Sequence, residues 1–126
     1  MQNSNPKIYA FTDLIVWQES HKLVLMIYTA TKKLPREEIF GLTSQMRRSA
    51  VSITSNIAEG FSRFSYKEKI QFYFIAQGSL TELQNQMIIS KDVGYLSAED
   101  FNKISVQATT VHKIINGLIK GARLHA

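Results

Sequence analysis

The chain has 126 residues, of which 44% are hydrophobic and 20% are charged, and it contains no cysteine. This composition is typical of one globular domain and excludes disulfide bonds and thiolate metal sites. The formal charge is +5, and the basic excess lies in residues 41–64 and 95–126. Such an excess permits binding to RNA, DNA or an acidic protein surface, but it is equally typical of a soluble basic protein.

The N-terminal residues "MQNSNPKIYA" lack a basic stretch followed by an apolar run, so no secretory signal is expected. The longest apolar runs, such as "LVLMIY" at residues 23–28, are shorter than the ~20 residues that cross a bilayer. We therefore predict a flexible N-terminal tail over residues 1–10 and a single domain over residues 11–126. A cytoplasmic location with no membrane partner is expected.

Four long helices are predicted. The first begins after Thr12 or Asp13, either of which can cap free backbone N–H groups. It ends near Lys33, because Pro35 cannot continue the backbone hydrogen bonds of a helix. The second helix runs from about Leu42 to Glu59, and Gly60 is predicted to adopt the left-handed conformation that ends many helices.

The third helix has a start signal at Ser65, which has the spacing of a capping box with Glu68. It is predicted to reach about Asp92, where Gly94 stops it. The fourth helix has the same start signal at Ser97 and ends around Gly121. Short connections between long helices favour antiparallel neighbours, so we predict an all-α, up-and-down four-helix bundle.

The second helix carries a seam of small residues instead of a broad apolar stripe. Its serines and alanines include Ser49, Ala50, Ser52, Ser55 and Ala58. Small side chains let another helix approach closely, and hydroxyl groups can bond locally or across the interface. We interpret the seam as close packing, and the alternative is that the serines face solvent.

The third helix is apolar over much of its circumference. One face carries residues such as Ile70 and Met87, and a second carries Phe72, Ile75 and Leu83. A helix of this kind is buried on more than one side, and 126 residues supply few neighbours to cover both. Self-association into a homo-oligomer is the prediction, and an over-hydrophobic monomer core is the alternative.

Charged residues near apolar positions need partners, because an unpaired buried carboxylate costs several kcal/mol. Arg47 and Arg48 of the second helix and Glu82 of the third helix are such residues. We predict a structural ion pair between Glu82 and one of the two arginines.

Catalytic and metal-binding patterns are lacking. His21, His112 and His125 have no partner at metal-ligand spacing, and neither a phosphate-binding Gly-rich loop nor a Gly-x-Ser-x-Gly elbow occurs. His21 is interpreted as a core or interface residue. We expect no enzyme activity, no metal and no cofactor.

Basic residues interleaved with aromatic residues are the pattern that favours nucleic-acid binding. Phe61, Phe64 and Tyr66 lie among the basic residues of the loop after the second helix. The alternative is that Phe61 and Phe64 fold back as hydrophobic plugs above a solvated rim of lysines. The candidate contacts are Arg47, Arg48, Arg63, Lys67, Lys69, Lys113, Lys120 and Arg123.

Four segments of the chain resemble a known family. They read "FTDLIVWQESHKLVLMIY", "GLTSQMRRSAVSITSNIAEGFSR", "FYFIAQGSLTEL" and "DVGYLS". In order and spacing they are similar to the proteins encoded in intervening sequences of bacterial 23S ribosomal RNA genes. Thr54 stands where many relatives have proline, and Phe61 and Phe64 stand in a loop that is often rich in Gly, Ser and Lys.

The resemblance implies a left-handed antiparallel four-helix bundle that assembles into a ring, commonly a homopentamer, with a largely unassigned role. The accessory protein of diversity-generating retroelements looks like a relative, and it is a basic pentameric barrel that works with a reverse transcriptase and nucleic acid. That relation implies an adaptor that binds RNA, DNA or a ribonucleoprotein. The alternative is a scaffold whose partner is another protein, with no nucleic-acid ligand.

Overall fold

The structure is a computed structural model that describes residues 7–126. In that part of the chain it is all-α and contains no strand, so the predicted all-α class with four helices is confirmed. The helices are α1 (Ile15–Thr31), α2 (Leu42–Ser62), α3 (Tyr66–Asp92) and α4 (Ala98–Arg123). Short 3₁₀ turns precede α1 at Phe11–Asp13 and α2 at Arg36–Glu38.

The predicted N-terminal tail lies partly outside the described residues, which begin at residue 7. Residues 7–10 are exposed. The Asp13 carboxylate accepts hydrogen bonds from the backbone N–H groups of Tyr9 and Ala10, and these bonds lower the pKa of Asp13. Asp13 therefore holds the chain ahead of α1, and Leu14 instead occupies the capping position of that helix.

Two of the predicted helix starts are confirmed in atomic detail. The Ser65 hydroxyl accepts a hydrogen bond from the backbone N–H of Glu68 at 3.1 Å. The Ser97 hydroxyl accepts one from the backbone N–H of Asp100 at 3.1 Å. Each serine thereby satisfies one of the N–H groups that a helix leaves free in its first turn.

The predicted role of Gly60 is wrong. Gly60 lies inside α2, which continues to Ser62, and it does not adopt a positive φ. A Cβ atom at this position would lie 2.5 Å from Cε1 of Tyr73. Glycine is required here because a side chain of α3 packs directly on the backbone of α2. Gly94, with a φ of 88°, does end α3 in the predicted way.

One hydrophobic core joins all four helices. Each helix packs against the next one along the chain, and α1 also packs against α4; within the described residues no Cα atoms of α1 and α3, or of α2 and α4, lie within 8 Å of each other. The fully buried side chains that form the centre of this core are Leu23, Ile27, Met46, Ile53, Ile57, Leu80, Leu83, Met87, Val111 and Ile115.

The small residues of α2 lie in two environments. Ser49 and Ala50 are buried, and the Ser52 hydroxyl is 2.8 Å from that of Ser79 on α3. Ser55 is exposed. The seam is therefore a close contact with α3 on one side, while its other edge faces solvent in the single chain.

Candidate nucleic-acid interface

Five of the eight predicted contact residues lie at one end of the molecule. Arg63 caps the C-terminus of α2, and the loop after it leads directly into the first turn of α3. The last turn of α4 lies beside that turn, because the Tyr66 and His125 rings stack with centroids 4.8 Å apart. We call this surface the basic end, and its cations are Arg63, Lys67, Lys69, Lys120 and Arg123.

Arg63 is held against the protein on two sides. Its guanidinium forms a 3.1 Å ion pair with Glu59 one turn earlier in α2. The same group lies 4.6 Å from the centroid of the Phe72 ring. Both contacts are partly exposed, so the guanidinium is fixed in place while one side stays open to solvent.

Lys69 has a structural role. Its ammonium group donates to the carbonyl oxygens of Gly60 at 3.2 Å and Phe61 at 2.8 Å, in the last turn of α2. Partial burial lowers the pKa of Lys69. A cation at this place adds hydrogen bonds to carbonyl groups at the C-terminus of α2, where the Gly60 carbonyl also accepts from the backbone N–H of Arg63, and it complements the negative end of the helix dipole. Lys69 thus anchors α3 to the end of α2 and is less available to a ligand than its neighbours.

The other three cations of the basic end are exposed. Lys67 lies on α3, and Lys120 lies on α4. Arg123 is also exposed, and its guanidinium lies 5.2 Å from the centroid of the Phe74 ring. This contact joins the last turn of α4 to α3. Basic side chains from three elements therefore share one surface.

The two phenylalanine side chains of the loop differ in burial. Phe61 is half-buried beneath Lys69, whose ammonium lies 5.6 Å from the centroid of the Phe61 ring. Phe64 is 101% exposed. The alternative in which both rings fold back as plugs therefore fits Phe61 and does not fit Phe64.

The other three predicted contact residues lie elsewhere. Arg47 donates to the Thr31 hydroxyl at 2.9 Å and lies 4.7 Å from the centroid of the Tyr28 ring, so it joins α2 to the end of α1. Lys113 lines a shallow groove on α4 together with Val106. The basic end does not include these two positions.

Arg48 and Glu82 line one polar groove of about 470 Å³ between α2 and α3. Both side chains are exposed, and among the described residues neither Arg47 nor Arg48 lies within 4 Å of Glu82 as an ion pair. An ion pair between Glu82 and one of the two arginines stays a prediction. Other residues that line the groove include Gln45, Ser52, Ile75, Ser79 and Gln86.

The histidines make aromatic or buried contacts. His21 is half-buried and stacks on Trp17, with ring centroids 4.7 Å apart and an interplanar angle of 11°. His112 is half-buried, and its Nδ1 atom has no hydrogen-bond partner among residues 7–126. Over residues 7–126, no group of three or more His, Asp or Glu side chains is arranged to hold a metal ion. None of the helices in that range is both long and apolar enough to cross a membrane.

Sequence reasoning missed the contacts that organise the basic end. The four-residue spacing of Glu59 and Arg63 was a readable signal for their ion pair. The hydrogen bonds of Lys69 and the stacking of Tyr66 on His125 join segments that are distant in sequence. A local sequence pattern therefore does not predict these contacts.

The protein is therefore an all-α protein in which four helices surround one core, with basic and aromatic residues at one end. The chain matches the family model of the 23S rRNA-intervening sequence protein over residues 12–117 and belongs to that family. The resemblance seen in the sequence is thereby confirmed.

A solved structure shares the fold. It is the crystal structure of a protein with unknown function of the S23 ribosomal protein family from Bacteroides thetaiotaomicron VPI-5482. The two chains are 25% identical, with a TM-score of 0.78, and the match covers 84% of this chain and 99% of the other. A comparison with curated proteins finds no match.

Proposed function

We propose that this protein is a non-catalytic, homo-oligomeric, cytoplasmic helical-bundle protein that binds RNA or DNA, alone or in a ribonucleoprotein, through its basic end. The observation that carries the proposal is the grouping of Arg63, Lys67, Lys120 and Arg123 at one end of the molecule together with the exposed ring of Phe64. Exposed cations attract phosphates whatever the base sequence, and aromatic rings add contacts to bases.

The basic end suits a polyanion better than a small anion. Its cations are spread over the end of α2, the start of α3 and the last turn of α4, and they do not converge on one point. A chain of phosphates can engage several of them at once. In an oligomer the same surface is repeated, so weak contacts add up through multivalency.

Self-association is supported by apolar side chains that α3 leaves exposed in the single chain. They are Phe74, Ile75, Ile88 and Ile89. Ile75 lines the polar groove with Arg48 and Glu82, and Ile89 is seven residues after Glu82 and so lies on the same side of α3. We define the α2–α3 face by Arg48, Ile75, Glu82 and Ile89. Covering this face with a second copy would bury apolar area and place Arg48 of one copy near Glu82 of another.

The arrangement we propose for the helices is an antiparallel, left-handed bundle. Contacts between α2 and α3 support the antiparallel part, because Met46 meets Ser90 whereas Ser52 meets Ser79. The residue numbers increase along α2 and decrease along α3. A ring of five copies is the assembly that the family resemblance implies.

The competing function is a protein-interaction scaffold without a nucleic-acid ligand. It would use the α2–α3 face or the connector between α1 and α2, where Phe40 is 94% exposed. In that case the basic end only keeps the protein soluble.

Fluorescence anisotropy with labelled RNA and DNA, from low salt to about 0.15 M salt, separates the two functions. The test variant replaces Lys67, Lys120 and Arg123 with glutamine, and its charge-matched control replaces Lys22, Lys32 and Lys103. We expect binding that weakens with salt and is lost in the test variant alone. Equal affinities of the two variants, or absence of binding by the native protein at low salt, would favour the scaffold.

A further inference from the structure

The exposure of the Phe64 side chain is not explained by packing against the core or against the rest of its loop. It lies in the connection between α2 and α3, and its side chain is 101% exposed. A phenylalanine ring that stays in water forgoes about 1.5–3 kcal/mol of burial energy. The other aromatic rings around it are engaged: Phe61 lies under Lys69, Phe72 lies beside Arg63, and Tyr66 stacks on His125.

The charge around Phe64 indicates what would cover it. Arg63 precedes it and Lys67 follows it by three residues, with one carboxylate, Glu68, next to Lys67. Lys120 and Arg123 lie on the adjoining end of α4. Phe40 provides a contrast, because it is 94% exposed but follows Glu37 and Glu38 in the connector before α2. The two rings are separated by α2, whose 21 residues span about 30 Å.

We propose that Phe64 is a stacking platform for an unpaired base of single-stranded RNA or DNA, with Lys67 and Arg123 holding the flanking phosphates. The inference rests on the proposed function and narrows its ligand to single strands. Bases in a duplex are already stacked on both faces, whereas an unpaired base can place a free face on an aromatic ring. The shared chemistry is a purine or pyrimidine face beside a phosphodiester, which RNA and DNA both supply.

The experiment measures the affinity of the full chain for labelled U-rich RNA and T-rich DNA strands of about 20 nucleotides and for a duplex of the same length. The variants are Phe64→Ala, Phe40→Ala and Phe64→Trp. We expect Phe64→Ala to weaken binding to the single strands by a factor of about 5 to 150 and to leave duplex binding almost unchanged. Phe40→Ala is expected to bind like the native protein. In Phe64→Trp, the fluorescence of the introduced indole ring is expected to be quenched by the single strands.

The outcomes separate the inference from the proposed function. If the native protein binds single strands in a salt-dependent way and Phe64→Ala binds them equally well, the stacking role is overturned and the basic end stands. If the native protein binds neither strand nor duplex at low salt, both fail. A Phe64→Ala variant that changes the solution mass would assign Phe64 to a contact between copies and overturn its role with bases. Equal losses in Phe64→Ala and Phe40→Ala would also overturn it.

Discussion

The hydroxyl groups of Ser52 on α2 and Ser79 on α3 lie 2.8 Å apart and form a hydrogen bond between the two helices. Ser79 is buried and Ser52 is half-buried. The amide of Asn56 also donates to Ser52. This small network accounts for serine at position 52 of α2 and at position 79 of α3.

We expect Ser79→Ala to lower the free energy of unfolding by about 1 kcal/mol, because it leaves the hydroxyl of Ser52 without its partner on α3. The double variant with Ser52→Ala is expected to lose less than the sum of the two single variants. Ser55→Ala, on the exposed edge of the same helix, serves as the control and is expected to change stability by less than about 0.5 kcal/mol. Additive losses in urea unfolding would show that the two hydroxyl groups are not coupled.

Gly60 allows α3 to pack on the backbone of α2. In Gly60→Ala the new Cβ atom meets Cε1 of Tyr73 at 2.5 Å, so we expect a loss of about 1–3 kcal/mol. Gly117→Ala is the matched control in α4, because among the described residues no atom beyond its chain neighbours and the backbone of its own helix lies within 4 Å of its added Cβ. That change is expected to stabilise the protein by about 0.5–1 kcal/mol. Thermal unfolding in which both variants gain stability would contradict the close packing.

Lys67 and Lys69 are two residues apart and are predicted to have different roles. Lys69→Met removes two hydrogen bonds to carbonyl groups at the end of α2, and we expect it to cost about 1–2 kcal/mol of stability. Lys67→Met is expected to leave the unfolding midpoint in urea unchanged and to weaken nucleic-acid binding. The reverse assignment of effects would show that Lys69, not Lys67, faces the ligand.

The helices could be predicted because their signals are local. Ser65 and Ser97 mark the starts of α3 and α4 through hydrogen bonds that span three residues. The predicted end of α2 at Gly60 was wrong, because glycine is needed there for contact with the Tyr73 ring, which belongs to another helix. The partner of Arg47 was missed for the same reason, because Thr31 and Tyr28 belong to α1. Residue type predicted a basic surface, but only the fold shows which five of the eight cations share it.

The α2–α3 face gives a charge-reversal prediction. If Arg48 of one copy lies near Glu82 of the next, Arg48→Glu and Glu82→Arg each bring like charges together and are expected to weaken assembly by about tenfold. The double variant restores opposite charges and is expected to assemble like the native protein. Glu37→Arg, in the connector before α2, is the control. Sedimentation velocity measures the assembly, and a double variant more defective than either single variant would rule out the pairing.

We propose that the exposed side of α3 is covered by further copies of the same chain. Light scattering coupled to size exclusion, at micromolar concentration, measures the mass of the intact particle. We expect a particle of several times 14.3 kDa, and five copies is the number that the family resemblance implies. A stable, monodisperse species of 14.3 kDa would contradict it.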